Sequence, residues 1–127
     1  MLHYFTHRSN GQPLERYLSE VRKRFRQWIF ETAAAEYDQR WLDYQFEIGR
    51  RHHRTGKNQT DGVDAVEHIP LRYLTTLIFP IVATLRPFLA SRAHTENEVQ
   101  KMHEAWTKSV LLQVTLWCYP YVKPGDF

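Results

Sequence analysis

The stretch FEIGRRHHRTG, residues 46–56, places two adjacent histidines at the end of an apolar segment and directly before a turn. Successive residues of a helix lie about 100° apart around its axis, so His52 and His53 cannot face the same side. His52 falls near the centre of one helical stripe, and His53 falls on the flank of that stripe. The other residues of the stripe are Tyr37, Trp41, Tyr44, Gln45 and Ile48. The spacing therefore predicts that His52 faces the interior.

Helical periodicity continues on both sides of this stretch, and no segment alternates as a strand would. Four main helices are predicted, from about Pro13 past Thr32, from Tyr37 or Asp38 to Arg54, from Pro70 to Ala90, and from Thr95 to about Cys118. Thr95 and Glu98 have the spacing of a capping box. Pro80 is expected to kink the third helix because it has no N–H. The predicted fold is all-α, with a single domain over residues 1–127.

The connections before and after the second helix differ in length. Asp38 has the side chain of a helix cap, although the alanines at positions 33–35 would allow the first two helices nearly to merge. The loop that continues from Thr55 to His68 contains Gly, Asn and Asp, and it is long for a compact domain. A loop of this kind is typically functional or mobile.

Composition favours an ordered intracellular domain. Hydrophobic residues make up 43% of the 127 residues and aromatic residues 14%, which excludes disorder as the default. The single cysteine, Cys118, excludes an internal disulfide framework and fits a reducing cytoplasm. The N-terminus lacks the features of a signal peptide, and no uninterrupted apolar run approaches about 18 residues. We therefore expect a cytoplasmic protein with no membrane partner.

The surface is predicted to be mildly basic and unusually apolar on two helices. The net charge of +3 is weak support for nucleic-acid binding, because the cluster VRKRFRQW at residues 21–28 is expected to be a solvated helix face. No nucleic-acid partner is therefore predicted. The third and fourth helices are apolar on more than one side, which a small domain cannot bury alone. That excess predicts a subunit interface or an additional helix.

An inward His52 has two interpretations of equal weight on geometry alone. It is either a core histidine bonded to a carbonyl, or the ligand of a metal. A zinc site needs three or four clustered ligands, and the other five histidines besides His53 are scattered along the chain. Haem iron, in contrast, takes one proximal histidine in an apolar pocket. No nucleophile–base order, phosphate loop or paired-carboxylate motif suggests another chemistry.

Several segments resemble the globin domain of protoglobins and of the related globin-coupled sensors. They are IGRRHHR, residues 48–54; IPLRYLTTLIFPIVATLRPFLA, residues 69–90; KNQTDGV, residues 57–63; YLSEVRKRFRQWI, residues 17–29; and MHEAWTKSVLLQVTLWCYPYVKPGDF, residues 102–127. The family pattern places the proximal haem ligand two residues before a basic residue and after a step such as Ile48-Gly49. That position is His52 here, which agrees with the helical wheel. The resemblance runs from about Tyr4 to Phe127.

The resemblance implies a globin-like fold that binds haem b (iron protoporphyrin IX) and, at its iron, the diatomic gases O2, CO and NO. It places Phe25 on the distal wall, Leu74, Leu77 and Ile81 along the haem or its gas access, and Ile48 and Ile69 near the proximal edge. Val21, Trp28 and Tyr44 have core and pocket interpretations of equal weight. Arg24 is the first candidate to pair with a haem propionate. The resemblance also implies a homodimer through the last two helices.

The chain departs from the family pattern at its start. It resembles the C-terminal two-thirds of the family, so nothing in it matches by position the distal tyrosine that the preceding helices carry. An alternative function follows, namely a haem-free, degenerate globin that acts as a helical dimerisation or signalling module. Enzymatic activity stays open, because an accessible haem supports peroxidase-like, nitrite-reducing or carbene-transfer chemistry.

Overall fold

The computed structural model describes residues 2–127, and within them the chain is helical. The α-helices are α1 (Glu15–Ala34), α2 (Gln39–His52), α3 (Lys57–Asp61), α4 (Leu71–Thr76), α5 (Ile78–Ala90) and α6 (Glu96–Trp117). Short 3₁₀ turns cover Leu2–Phe5 and Tyr119–Tyr121. The described residues contain two isolated β-bridges and no strand. The predicted all-α, globin-like class is confirmed.

Helices α1 and α2 are separate, because Ala35 adopts a left-handed conformation with φ of 52° and ends α1. The carboxylate of Asp38 then accepts a hydrogen bond of 2.7 Å from the backbone N–H of Trp41. The prediction that Asp38 caps α2 is confirmed, and the near-merger of the two helices does not occur.

The segment predicted as the third helix forms two helices, α4 and α5, which meet at Leu77. The predicted kink at Pro80 is therefore replaced by a break at Leu77. Proline lacks the N–H that would bond the carbonyl four residues earlier, and its ring crowds that carbonyl. For Pro80 that residue is Thr76, the last residue of α4. The break therefore lies one turn before the proline that causes it.

The segment Leu71–Ala90 is long and apolar enough to cross a membrane, judged by length and composition alone. The expectation of no membrane partner depended on the lack of an uninterrupted apolar run, and Pro80, Arg86 and Pro87 interrupt this segment. A single helical segment that passes such a test is weak support for a membrane span. In this fold, α5 packs against α6.

Helix α6 is the central element of the fold. Its N-cap is Thr95, where both hydrogen bonds of the predicted capping box with Glu98 are present. Its inner face packs against α2 and α5, with smaller contacts to α1 and α4. The core consists of large apolar side chains, chiefly Trp28, Ile48, Leu74, Val110, Val114 and Trp117. This arrangement leaves a cavity between α1, α2 and α5.

The loop after α2 is ordered around α3 and is held by the N-terminal segment. The backbone N–H of Arg8 donates to the carbonyl of Asp64 at 2.9 Å, and His7 forms an isolated bridge with Ala65. The ammonium of Lys57 donates to the carbonyl of Tyr4 at 2.7 Å. The N-terminal segment therefore closes one end of the cavity.

Candidate functional site

A cavity of about 620 Å³ lies between α1, α2 and α5, with α6 at its base. Most of its wall is apolar or aromatic. The wall residues from α1 and α2 include Tyr17, Val21, Phe25, Trp28, Ile29, Tyr44 and Ile48. Those from later elements include Ile69, Leu77, Ile81, Leu85, Phe88, Trp106 and Trp117. The cavity can therefore hold a large, mostly apolar molecule.

His52, at the C-terminal end of α2, is part of this wall. Its Nδ1 lies 2.8 Å from the carbonyl oxygen of Ile48, one turn earlier. A carbonyl only accepts, so Nδ1 carries the proton and donates it. Burial lowers the pKa of His52, although the hydrogen bond to Ile48 opposes this shift. The imidazole is therefore neutral at pH 7, and Nε2 holds a free lone pair.

The plane of the His52 ring is set by Trp117. The two rings are nearly parallel, with an interplanar angle of 11° and centroids 6.1 Å apart. The indole N–H of Trp117 donates to Gln45 Oε1 at 2.9 Å, which fixes the indole against α2. Gly49 allows this approach, because a Cβ there would lie 2.5 Å from the backbone oxygen of Trp117.

The structure brings ten of the eleven predicted site residues together around the cavity. They are Val21, Arg24, Phe25, Trp28, Tyr44, Ile48, His52, Ile69, Leu77 and Ile81. Leu74 is different: it is fully buried at 0% exposure, packs in the hydrophobic core and is not part of the cavity wall. Leu74 lies on α4, and α4 ends at the break at Leu77. Because of this break, the turn of α4 that carries Leu74 packs into the core.

His53 lies on the flank, outside the cavity wall. Its ring makes edge contacts with those of His68 and Tyr121, each with centroids 5.0 Å away. The Tyr121 hydroxyl donates to the carbonyl of Ile69 at 2.7 Å, and the N–H of Ile69 donates to the carbonyl of His52 at 2.9 Å. This flanking cluster holds the end of α2 in position.

The family model named Protoglobin matches residues 1–126. The chain belongs to the protoglobin family. Members of this family generally bind haem. A comparison with curated proteins gave no match.

The residues of this protoglobin fit a haem. The cavity volume of about 620 Å³ lies within the range of roughly 300–1,000 Å³ that is usual for small-molecule sites. Within residues 2–127 no three His, Cys, Asp or Glu side chains cluster as a multi-ligand metal site would require. A single neutral histidine in an apolar wall is instead the donor set that haem iron takes. A histidine that binds a metal usually donates its other ring N–H to a carbonyl or carboxylate, which fixes its tautomer and orientation, and His52 does so to Ile48.

Charged side chains gather at the end of the cavity near α3. Arg24 and Asp61 form a two-bond ion pair, with nitrogen–oxygen distances of 2.9 and 2.6 Å. Arg24, our candidate partner for a propionate, is thus already paired within the protoglobin chain. Arg51 also lines the cavity, but its Nε donates to Glu47 at 3.2 Å. Lys57 completes this charged end.

Several residues of the cavity wall were not predicted from the sequence, including Tyr17, Lys57, Trp106 and Trp117. Tyr17 and Trp117 lie on the buried faces of α1 and α6, where periodicity predicts burial but does not separate the core from a cavity wall. Lys57 carried no usable signal, because it follows a glycine in a stretch with turn composition. Only the fold of the N-terminal segment over α3 buries it.

Proposed function

We propose that this protoglobin binds haem b through His52 and reversibly binds O2, CO and NO at the iron. The observation that supports this most directly is the His52 imidazole, which is neutral, bonded through Nδ1 to a carbonyl, and placed in the wall of an apolar cavity. Haem, when bound, would supply an iron at which a diatomic gas can bind.

Each part of the cavity contributes a separate physical effect. The bond from Nδ1 to the Ile48 carbonyl fixes the tautomer and makes Nε2 a stronger donor. The stack on Trp117 fixes the plane of the imidazole. Val21 on α1 and Ile81 on α5 present apolar surface to the cavity and so exclude water from it. The apolar surface of Val21 and Ile81 favours a small, uncharged gas over an anion in their part of the cavity.

The same cavity is accessible from outside. Phe25 and Phe88 line it, yet these residues are 50% and 53% exposed. They lie on α1 and α5, which face one another across the opening. We therefore expect a gas molecule to enter the cavity between these two helices.

The test is a haem titration followed by absorption spectra of the oxidised, reduced and CO-treated protein. We expect a Soret band that shifts on reduction and again with CO. His52→Ala should lose tight haem binding, whereas His53→Ala, the adjacent flanking control, should keep it. Exogenous imidazole should restore a ligated spectrum in His52→Ala. A folded, helical protein with no Soret band would instead support the haem-free helical module.

We also propose a homodimer built from α5 and α6. No residue of α5 is fully buried in the single chain, and Phe79 is 78% exposed. Leu111 and Leu112 on α6 are also exposed large apolar residues. Burying such surface against a second copy would remove it from water, which is favourable at about 25 cal/mol per Å² of apolar area.

A further inference from the structure

Lys57 is a buried cation at one end of the cavity. It is 1% exposed, although lysine is rarely buried without a charge partner. Its Nζ lies 5.0 Å from the centroid of the Tyr17 ring and 5.8 Å from that of Phe5. All three residues are part of the cavity wall. The ammonium is therefore held by aromatic faces at the edge of the proposed haem site.

The Lys57 ammonium is incompletely neutralised. Across residues 2–127 it forms no salt bridge within 4 Å, and its one hydrogen bond goes to the uncharged carbonyl of Tyr4. An ammonium has three N–H donors, so two have no oxygen or nitrogen acceptor among residues 2–127. Burial lowers the pKa of Lys57 to about 8, although Asp61 opposes the shift. A buried cation in this state favours an anion that enters the cavity.

Asp61, the acid near Lys57, does not neutralise the Lys57 ammonium by a salt bridge. Both carboxylate oxygens of Asp61 accept hydrogen bonds from Arg24, at 2.9 and 2.6 Å. That pairing satisfies Arg24 and Asp61 together, with matched two-bond geometry. Among residues 2–127, Arg24 pairs with Asp61 and Arg51 pairs with Glu47, whereas Lys57 of the same cavity wall forms no salt bridge.

We propose that Lys57 is the anchor for a carboxylate of the ligand in this cavity, and that this carboxylate is a haem propionate. The proposal rests on the haem-binding function above. It predicts that the porphyrin's carboxylate contributes to affinity through Lys57, and that Arg24 stays paired with Asp61 in the loaded protein. The site would thereby fix one orientation of the porphyrin edge relative to His52.

The test compares iron protoporphyrin IX with its dimethyl ester, which lacks the charged carboxylates but keeps the iron and the ring. Affinities are measured by titration for the wild type, Lys57→Met, Arg24→Leu and the exposed control Lys101→Met. We expect the wild type to prefer the diacid by about tenfold, as one charge-assisted hydrogen bond would give. Lys57→Met should lose this preference, while Arg24→Leu and Lys101→Met should keep it.

Each other outcome overturns a different statement. Equal affinities of the wild type for both porphyrins, a measurement that needs no variant, would refute a carboxylate anchor. Equal loss of both affinities in Lys57→Met, with the preference intact, would assign Lys57 a structural role only. Loss of the preference in Arg24→Leu alone would make Arg24 the anchor. If the wild type binds neither porphyrin, the proposed function itself fails, and the anchor with it.

Discussion

The imidazole of His52 and the indole of Trp117 lie nearly parallel, at an interplanar angle of 11°. The two residues come from α2 and α6, the pair of helices that pack closely at Gly49. Trp117 is held in turn by its hydrogen bond to Gln45. The orientation of the proposed haem ligand therefore depends on helix packing as well as on its own bond to Ile48.

Replacing Trp117 should disturb the ligand and the core together. We expect Trp117→Leu to broaden or shift the iron–histidine stretching band in the resonance Raman spectrum of the reduced, haem-loaded protein. It should also lower the free energy of unfolding by about 3 kcal/mol. Trp117→Phe keeps an aromatic ring and should change the band less. Trp41→Phe, a buried control about three turns before His52 on α2, should leave the band in place, and a shift there would argue against the stacking role.

Gly49→Ala should destabilise the fold, although alanine is the better helix former. A Cβ at this position would lie 2.5 Å from the oxygen and 2.9 Å from the Cα of Trp117, both backbone atoms that cannot rotate away. We expect a loss of about 1–3 kcal/mol in urea unfolding. Gly11→Ala has open space around it and only the cost of φ at 68°. An equal loss in both variants would mean that α2 and α6 can separate at little cost.

The buried bond between Trp28 and Gln113 should show strong coupling. The indole N–H donates to Gln113 Oε1 at 2.6 Å, and the Gln113 amide donates to Thr32 and Ser109 at 3.1 Å each. Gln113→Leu leaves the buried N–H of Trp28 unpaired and should cost roughly 1–3 kcal/mol. In the Trp28→Phe background the same change should cost less. Additive losses in this double-mutant cycle would contradict the coupling.

Because of Lys57, the free energy of unfolding of the haem-free protein should rise with pH above about 8. Burial lowers its pKa to about 8 from the ordinary 10.5. Between these values the unfolded state binds more protons than the folded state, so the free energy of unfolding increases with pH, by at most about 1.4 kcal/mol per unit. Below pH 8 both states are protonated and this slope vanishes.

The measurement is urea unfolding at pH 7.0, 8.5 and 9.5 for the wild type and Lys57→Met, each without added haem. Burial raises the pKa of Cys118 and of Tyr17, and both shifts lower stability as pH rises further. These two groups are common to both proteins, so the difference between the curves isolates Lys57. Parallel curves would show that Lys57 titrates as an exposed lysine does.

The proposed dimer should dissociate when charge is added to α6. We expect Leu111→Glu to shift the mass in sedimentation velocity from two chains to one, because a carboxylate would be buried without a partner. The control is Phe30→Glu, an exposed apolar residue on α1 that lies outside the proposed interface. A wild-type protein that is monomeric at high micromolar concentration, or dissociation by the control alone, would refute this interface.

The sequence by itself determined which segments are helical and where most of them begin. Periodicity and local capping act over three or four residues, so Asp38, Thr95 and the inward direction of His52 followed from spacing. These local rules hold because neighbours within one helical turn supply the deciding contacts. The prediction that Phe25, Leu77 and Ile81 line the cavity came instead from the resemblance to protoglobins, because periodicity alone does not separate a cavity wall from ordinary core.

Only the tertiary structure decided how the polar groups are paired. Arg24 meets Asp61 across 37 positions in sequence, and Lys57 meets Tyr4 across 53. The break at Leu77 similarly sends Leu74 into the core and the next turn of the helix to the cavity. No local pattern carries this information, because the energy of a buried charge depends on which distant side chains and carbonyls surround it.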